Sequence, residues 1–323
     1  MTKNLEMNSM RKKRNSLLSI IAVLMIGLLS ACGGQSDKEK KSDLTSDTAP
    51  ETRIYHGEKG DVKVPVKPKR VAMLAATYAG NLLALGITPI AVNEYPKTNK
   101  FYGHKLDHAE VVTADSMEKL LALKPDLIIT YSDDKNLKKY SEIAPTAVLT
   151  YDKYNYLDQH IEIGKIVGKE KEARKWVSEW NDKAETEKKK VQKAIGADAT
   201  AMVFETYGKD MYVYGKNWGR GTEVIYQALG LKGNDRLNKD VMGPGYKAIS
   251  AELIPEYAGD YIFVGEGAST TNNSFMKSDA WKQIPAVKSG RVINFDSKSF
   301  YFNDPISLEK EMDYIVKALT KVK

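Results

Sequence analysis

From residue 170 to residue 195 the chain runs EKEARKWVSEWNDKAETEKKKVQKAI, without one glycine or proline. At about 1.5 Å per residue this is a helix roughly 40 Å long. Gly196 is a good stop for it, and lysines crowd the last turns, where the helix dipole favours positive charge. On both sides of this stretch, short apolar runs alternate with helical patterns. Before it, residues 70–75, 89–92, 126–130 and 147–150 read as strands. Helices read over 78–85, 116–123, 135–143 and 157–167. After it, 201–205, 211–213, 261–264 and 292–295 read as strands, with helices over 221–229, 251–257, 280–283 and 306–322. Such βα alternation predicts mostly parallel sheets covered by helices. The expected fold is α/β: two lobes, 53–156 and 197–323, bridged by a helical linker over 157–196 that contains the long helix.

The first fifty residues belong to neither lobe. Arg11, Lys12, Lys13 and Arg14 precede an apolar run over 17–29 and the tetrapeptide Leu29-Ser30-Ala31-Cys32. A basic cluster, a short apolar run and small residues at the cut describe an export signal. The run is shorter than the roughly 20 residues that span a bilayer as a helix. Leu-Ser-Ala-Cys resembles the bacterial lipobox. That resemblance implies cleavage after residue 31 and acylation, such as palmitoylation, of Cys32, the only cysteine in the chain. Residues 32–52 are polar and charged and read as a flexible tether with a reach of about 25 Å. Loss of 1–31 lowers the net charge from +7 to +3. No basic stripe interleaved with aromatics appears, so nucleic-acid binding has little support. His104 and His108 stand four apart without a third ligand nearby and read as surface histidines.

A faint internal repeat supports two related lobes. Ser116, Glu118 and Asp126 match Ser250, Glu252 and Asp260 in spacing: a Ser opens a helix, a Glu follows, and an Asp opens a strand. Ser as an N-cap with an acid in the first turn is ordinary helix-start chemistry, and it explains each Glu taken singly. The occurrence of both copies, one per lobe, points to function.

Ligands of open α/β sheets bind outside the carboxyl ends of the strands. Four expected strand ends lie beside a tyrosine: Tyr78, Tyr131, Tyr151 and Tyr207. Tyrosine joins a broad apolar face to a hydroxyl, which suits a large amphipathic ligand. With 18 tyrosines in the chain, about half of these four are expected to reach a pocket. The segment YVYGKNWGRG (212–221) sets Tyr212, Trp218 and Arg220 among glycines just before a helix. Glycines allow close approach of the backbone, and Arg offers a planar fork of donors to an oxygen ligand. A hairpin whose Trp covers the core is the plainer reading of this segment. Phe300-Tyr301-Phe302 either closes the same cleft or packs a helix start. No G-x-S-x-G elbow, H-E-x-x-H, P-loop or strand-borne G-x-G-x-x-G is present. An aromatic cleft with one Arg and no acid/base pair describes binding better than turnover.

PKRVAMLAATYAGNLLALGITPIAV (68–92), MEKLLALKPDLIIT (117–130), ELIPEYAGDYIFV (252–264) and WKQIPAVKSGRVINF (281–295) resemble the solute-binding lipoproteins of bacterial iron-uptake ABC transporters. In that helical-backbone class a rigid helix bridges two lobes. YVYGKNWGRG is most similar to the ferric-hydroxamate-binding members of Gram-positive bacteria. The resemblance implies a monomer held by lipid at the outer face of the cytoplasmic membrane. It would deliver a ferric siderophore to permease subunits and their ATPase, with no cofactor of its own. Tyr212, Trp218 and Arg220 would contact the siderophore, Tyr151 and Tyr301 would add aromatic contact, and Glu118 and Glu252 would dock on the permease. The siderophore fills the iron's coordination shell, so the protein would supply no metal ligand. Ferric hydroxamates are neutral or weakly cationic, whereas catecholate and citrate complexes are anionic and call for several converging cations. Only Arg220 lies in a candidate ligand segment, with Arg236 and Arg291 as further options. A haem or corrinoid receptor of the same class, and an exported lipid-anchored enzyme, remain the alternatives.

Overall fold

In the computed structural model, which describes residues 51–207, 210–266 and 273–321, one five-stranded sheet precedes the long helix and another follows it. Cys32, the export signal and nearly all of the tether lie outside the described residues. A hairpin comes first, β1 (Thr52–Gly57) against β2 (Gly60–Pro65). Thr52, the last residue assigned to the tether, is paired with Pro65 in this hairpin. Tyr55 of β1 is buried in the first lobe's core and donates to Glu162 at 2.7 Å.

The first sheet contains β3 (Val71–Met73), β4 (Ala91–Val92), β5 (Glu110–Val111), β6 (Leu127–Tyr131) and β7 (Thr146–Leu149) in the order β5-β4-β3-β6-β7, all parallel. The second contains β8 (Ala201–Tyr207), β9 (Asp210–Tyr214), β10 (Tyr246–Ile249), β11 (Tyr261–Glu266) and β12 (Val292–Asp296) in the order β10-β9-β8-β11-β12. There β8, β11 and β12 are parallel, while β9 runs antiparallel to both β8 and β10. Central strands begin with continuous apolar runs, LII in β6 and AMVF in β8, because helices cover both faces of such sheets.

The internal repeat has a structural meaning. Asp126 precedes β6 and accepts the backbone N–H of Lys69 and Arg70, just before the neighbouring β3. Asp260 precedes β11 and accepts the N–H and hydroxyl of Thr200, just before the neighbouring β8. Each acid therefore pins the start of the central strand pair of its own lobe. The serines do something other than expected: neither Ser116 nor Ser250 caps a helix with its side chain. The Ser116 hydroxyl lies 2.8 Å from that of Thr113 instead. Glu118 begins a helix (Met117–Ala122), and Glu252 lies in a 3-10 turn (Ala251–Leu253) that runs into a short helix. Both carboxylates are exposed.

The long helix spans Glu170–Ile195, as its composition predicts, and ends at Gly196 with φ of 92°. Its buried positions, Ala173, Trp180, Ala184 and Val191, form one stripe at helical spacing. A second element also joins the lobes. The closing helix, Pro305–Lys321, packs on the first lobe's helix Ala79–Ala84 as well as on the long helix. Just before it, Asp304 is fully buried and accepts from the Tyr102 hydroxyl at 2.6 Å and the Ser307 hydroxyl at 2.8 Å. Asn99 donates to Ser307 at 2.9 Å. A Cβ on Gly80 would lie 2.1 Å from the Asp304 carboxylate, so only glycine lets the two elements approach this closely.

On the closing helix Glu311 is completely buried, and neither carboxylate oxygen has a partner among the described residues. Burial, with Glu223 and Asp304 nearby, pushes its pKa well above the ordinary 4.5. Unfolding above that pH therefore releases a proton, so the stability from this group is full below pH 4.5 and declines as pH rises above it. Glu311→Gln should raise the urea midpoint at pH 8 and leave it nearly unchanged at pH 4. An equal shift at both pH values would contradict this assignment.

Candidate functional site

The strands of the first lobe end in loops that carry Thr77, Tyr131 and Tyr151. The second lobe offers the loop after β9 and the segment after β12. Thr77, Tyr151, Tyr154, Trp218, Arg220 and Tyr301 line one concavity between them. A chain of aromatic contacts crosses it. Tyr78 meets Tyr131 at 5.3 Å between ring centroids, Tyr131 meets Tyr151 at 6.0 Å, and Tyr151 meets Trp218 at 6.1 Å. On the far side Trp218 meets Tyr246 at 4.6 Å, and Tyr246 meets Tyr212 at 6.2 Å. Tilted and edge-on pairs of this kind are favourable beyond the area they bury.

The loop that presents Trp218 and Arg220 is held under backbone strain. Asn217, Gly219, Arg220 and Gly221 all have positive φ, and two of the four are not glycine. Left-handed backbone at a non-glycine residue persists only where its surroundings fix it, and it gathers at ligand sites. Glu223, fully buried, does much of the fixing: one carboxylate oxygen accepts the Gly219 N–H at 3.1 Å and the Asn303 amide at 3.0 Å. Thr222 accepts the Trp218 N–H at 3.2 Å, and Arg220 donates its backbone N–H to the Phe300 carbonyl. Residues Glu223–Ala228 form a π-helix where an α-helix over 221–229 was expected. One-turn π segments are often found beside functional sites.

Arg220 lies between two rings, its guanidinium carbon 4.5 Å from the Tyr214 centroid and 4.7 Å from that of Tyr301. Its Nε donates to Glu205 at 3.1 Å and its Nη1 to the Trp218 carbonyl at 2.8 Å. Burial opposes its charge, but Tyr214 and Glu205 outweigh burial and hold its pKa above the ordinary value. Tyr95 stacks on the outer face of Tyr301 at 5.8 Å. Burial raises the Tyr131 phenol to about 12, with smaller downward pulls from Thr77, and burial also pushes Tyr151 up. At neutral pH the cleft therefore presents neutral phenol O–H groups and one guanidinium, with the Asp152 carboxylate also in its lining.

The expected site residues divide accordingly. Tyr151, Trp218, Arg220 and Tyr301 come together in the concavity, and Tyr131 backs Tyr151 while its hydroxyl lies 2.8 Å from that of Thr77. Tyr212 stands one ring behind, beyond Tyr246. Tyr78 does not reach the cleft. Its ring is buried in the core of the first lobe because the helix it precedes packs inward. Tyr207 ends β8 with its side chain 61% exposed and is not among the residues lining the concavity. Tyr246 and Glu205 were missed. Tyr246 follows Gly245 on β10, an antiparallel strand outside the βα alternation. Glu205, an acid at the end of the apolar run AMVFE, was a legible signal.

Two lobes with mostly parallel sheets, joined by a long helix and sharing an aromatic cleft, define a helix-bridged solute-binding protein. Residues 71–299 match the periplasmic binding protein family, and the chain belongs to it. It is 40% identical to the iron(3+)-hydroxamate-binding protein FhuD of Bacillus subtilis over 309 residues, covering 94% of this chain and 97% of that one. The structure of FhuD2 from Staphylococcus aureus with bound ferrioxamine B is similar with a TM-score of 0.75 at 39% identity, covering 79% and 99% of the two chains. A FhuD-fold periplasmic binding protein of a ferrichrome ABC transporter from Bacillus subtilis gives 0.77 at 40% identity, covering 83% and 100%. Periplasmic binding proteins bind their ligands without converting them, so the chain is a non-enzymatic binding protein.

Gly245 has φ of 92°, and a Cβ there would fall 1.6 Å from the Trp218 indole nitrogen. Gly245→Ala should therefore unseat Trp218, seen as a changed near-ultraviolet dichroism and emission maximum with the far-ultraviolet spectrum intact. Spectra identical to wild type would refute this seat for the indole.

Proposed function

We propose that the chain is the extracellular receptor of a ferric-hydroxamate importer, acylated at Cys32 and serving an ABC permease. The observation that carries this reading is the cleft itself: neutral phenols, one indole and a single Arg paired with a carboxylate. Such a lining suits a bulky chelate with little net charge, whose hydroxamate oxygens accept from Arg220 while its backbone rests on Trp218, Tyr151 and Tyr301. Iron arrives with its coordination shell filled and needs no protein ligand. The relatives named above support the same ligand class, since they bind iron(3+)-hydroxamate or ferrioxamine B. Glu118 and Glu252 are exposed at repeat-equivalent places, one in each lobe. This is the arrangement that a pseudo-symmetric pair of permease subunits with facing arginines would engage. Cys32, at the end of an export signal, supplies the anchor.

Trp218→Ala or Arg220→Ala should weaken ferrioxamine B binding more than tenfold, or at least about 1.4 kcal/mol. Fluorescence titration checks this, and unchanged curves would reject the cleft as the site. The Glu118→Ala/Glu252→Ala double variant should bind ferrioxamine B as wild type does yet fail to support uptake of labelled iron by cells. Normal uptake would dismiss the docking role.

A further inference from the structure

Arg220 is the one cationic residue among the described residues lining the cleft, but its charge is not presented alone. We infer that Glu205 is a specificity determinant: its buried carboxylate cancels the Arg220 charge, so the cleft admits neutral and cationic iron chelates and turns away anionic ones. The inference rests on the siderophore reading above and goes beyond it, because it assigns the choice among chelate classes to one acid outside the ligand-contacting set.

Glu205 is 2% exposed, in a strand whose four preceding residues, Ala201 to Phe204, are entirely buried and apolar. An acid is costly in such a strand unless it is paired. Its pairing with Arg220 Nε is accompanied by the Tyr214 hydroxyl, which donates to the same oxygen at 3.4 Å. The neighbouring β11 makes room for it: a Cβ on Gly265 would stand 3.1 Å from the other carboxylate oxygen and 2.6 Å from the Ser297 hydroxyl. The acid thus has a built seat, and one edge of the guanidinium is committed to it. Nη2 and one Nη1 hydrogen have no protein acceptor among the described residues, so Arg220 keeps donors for a ligand.

Lys153, over the ring of the lining Tyr154, is paired with Glu58 at 3.4 Å, so the surrounding charges add no positive balance. Glu223 lies beneath the Arg220 loop, and Asp152 is among the lining residues. Burial raises Asp304 and Glu311, which favours their neutral forms. A trianionic chelate entering this space would lose its water without meeting a net positive charge. A neutral or cationic chelate would meet hydrogen-bond donors with no charge penalty. Placing an uncompensated Arg in the same desolvated site would reverse that order.

The test uses three ferric trihydroxamates on one scaffold: ferrioxamine B with its free amine, its N-acetyl derivative and its N-succinyl derivative, which step the net charge from positive through zero to negative. Dissociation constants come from tryptophan quenching at fixed ionic strength. In wild type the succinyl complex should bind at least tenfold more weakly than the amine complex. Glu205→Gln, which keeps the shape and an acceptor for Nε, should shrink that ratio at least tenfold, while Glu205→Asp, which keeps the charge, should preserve it. An unchanged ratio in Glu205→Gln, or an equal loss for all three complexes, would overturn the inference and leave Glu205 a structural residue. A flat wild-type series would overturn it even if Glu205→Gln failed to fold. Wild type binding none of the three would instead remove the siderophore reading, and this inference with it.

Discussion

The buried hydrogen bond from Tyr102 to Asp304 closes a second link between the lobes, and the cleft takes its geometry from that link. The long helix alone would let the lobes pivot about one connection. The closing helix returns to the first lobe, and its leading residues join Asn99, Tyr102, Asp304 and Ser307 in a network with no solvent exposure at Asp304 or Ser307. Separating the lobes would break these hydrogen bonds, each worth about 0.5–1.5 kcal/mol net, and would expose the apolar surface packed around them. The same stretch of chain carries Tyr301 and Asn303 into the site. Anything that moves the tie therefore moves the cleft wall, and large hinge motion is disfavoured.

In the proposed reading, a cleft whose width changes little recognises its ligand by surface rather than by engulfing it. The strained loop 217–221 serves that purpose. Its left-handed residues are secured by Glu223 from below and by the Phe300 carbonyl from the side, and Gly219 passes so close to the Tyr301 carbonyl that a Cβ would lie 2.3 Å away. With the loop set, Trp218 and Arg220 have little freedom left to lose on binding, which favours affinity through preorganisation. Glu205 and the flanking tyrosines then decide what kind of charge the site can accept.

Much of the frame was legible in the sequence because it rests on local rules. The long helix is marked by what it lacks, Gly and Pro, and by Gly196 at its end. The two sheets follow from apolar runs separated by helical patterns, and the repeat of Asp126 and Asp260 reports the paired strand starts of two related lobes. The glycine-framed YVYGKNWGRG segment named the loop at the cleft. What escaped depends on tertiary neighbours. Nothing local distinguishes Tyr78, turned into the core, from Tyr151, turned to the cleft, since both follow a strand. The π-helix over Glu223–Ala228 arises where the chain must bury Glu223 beneath the loop, a demand set by Gly219 and Asn303. Tyr246 packs behind Trp218 only because β10 pairs antiparallel with β9, and such a strand pair leaves no mark in βα alternation.

We propose that one cleft, aromatic in lining and without net positive charge, selects a hydroxamate chelate by its surface. Titrating the wild-type protein with ferrioxamine B, ferrichrome, ferric citrate, a ferric tricatecholate and haem, with tryptophan quenching as the readout, tests it most directly. One ferric hydroxamate should bind per chain, at least tenfold more tightly than the anionic complexes and haem. Tighter binding of haem or of an anionic chelate, or no quenching by either hydroxamate, would contradict it.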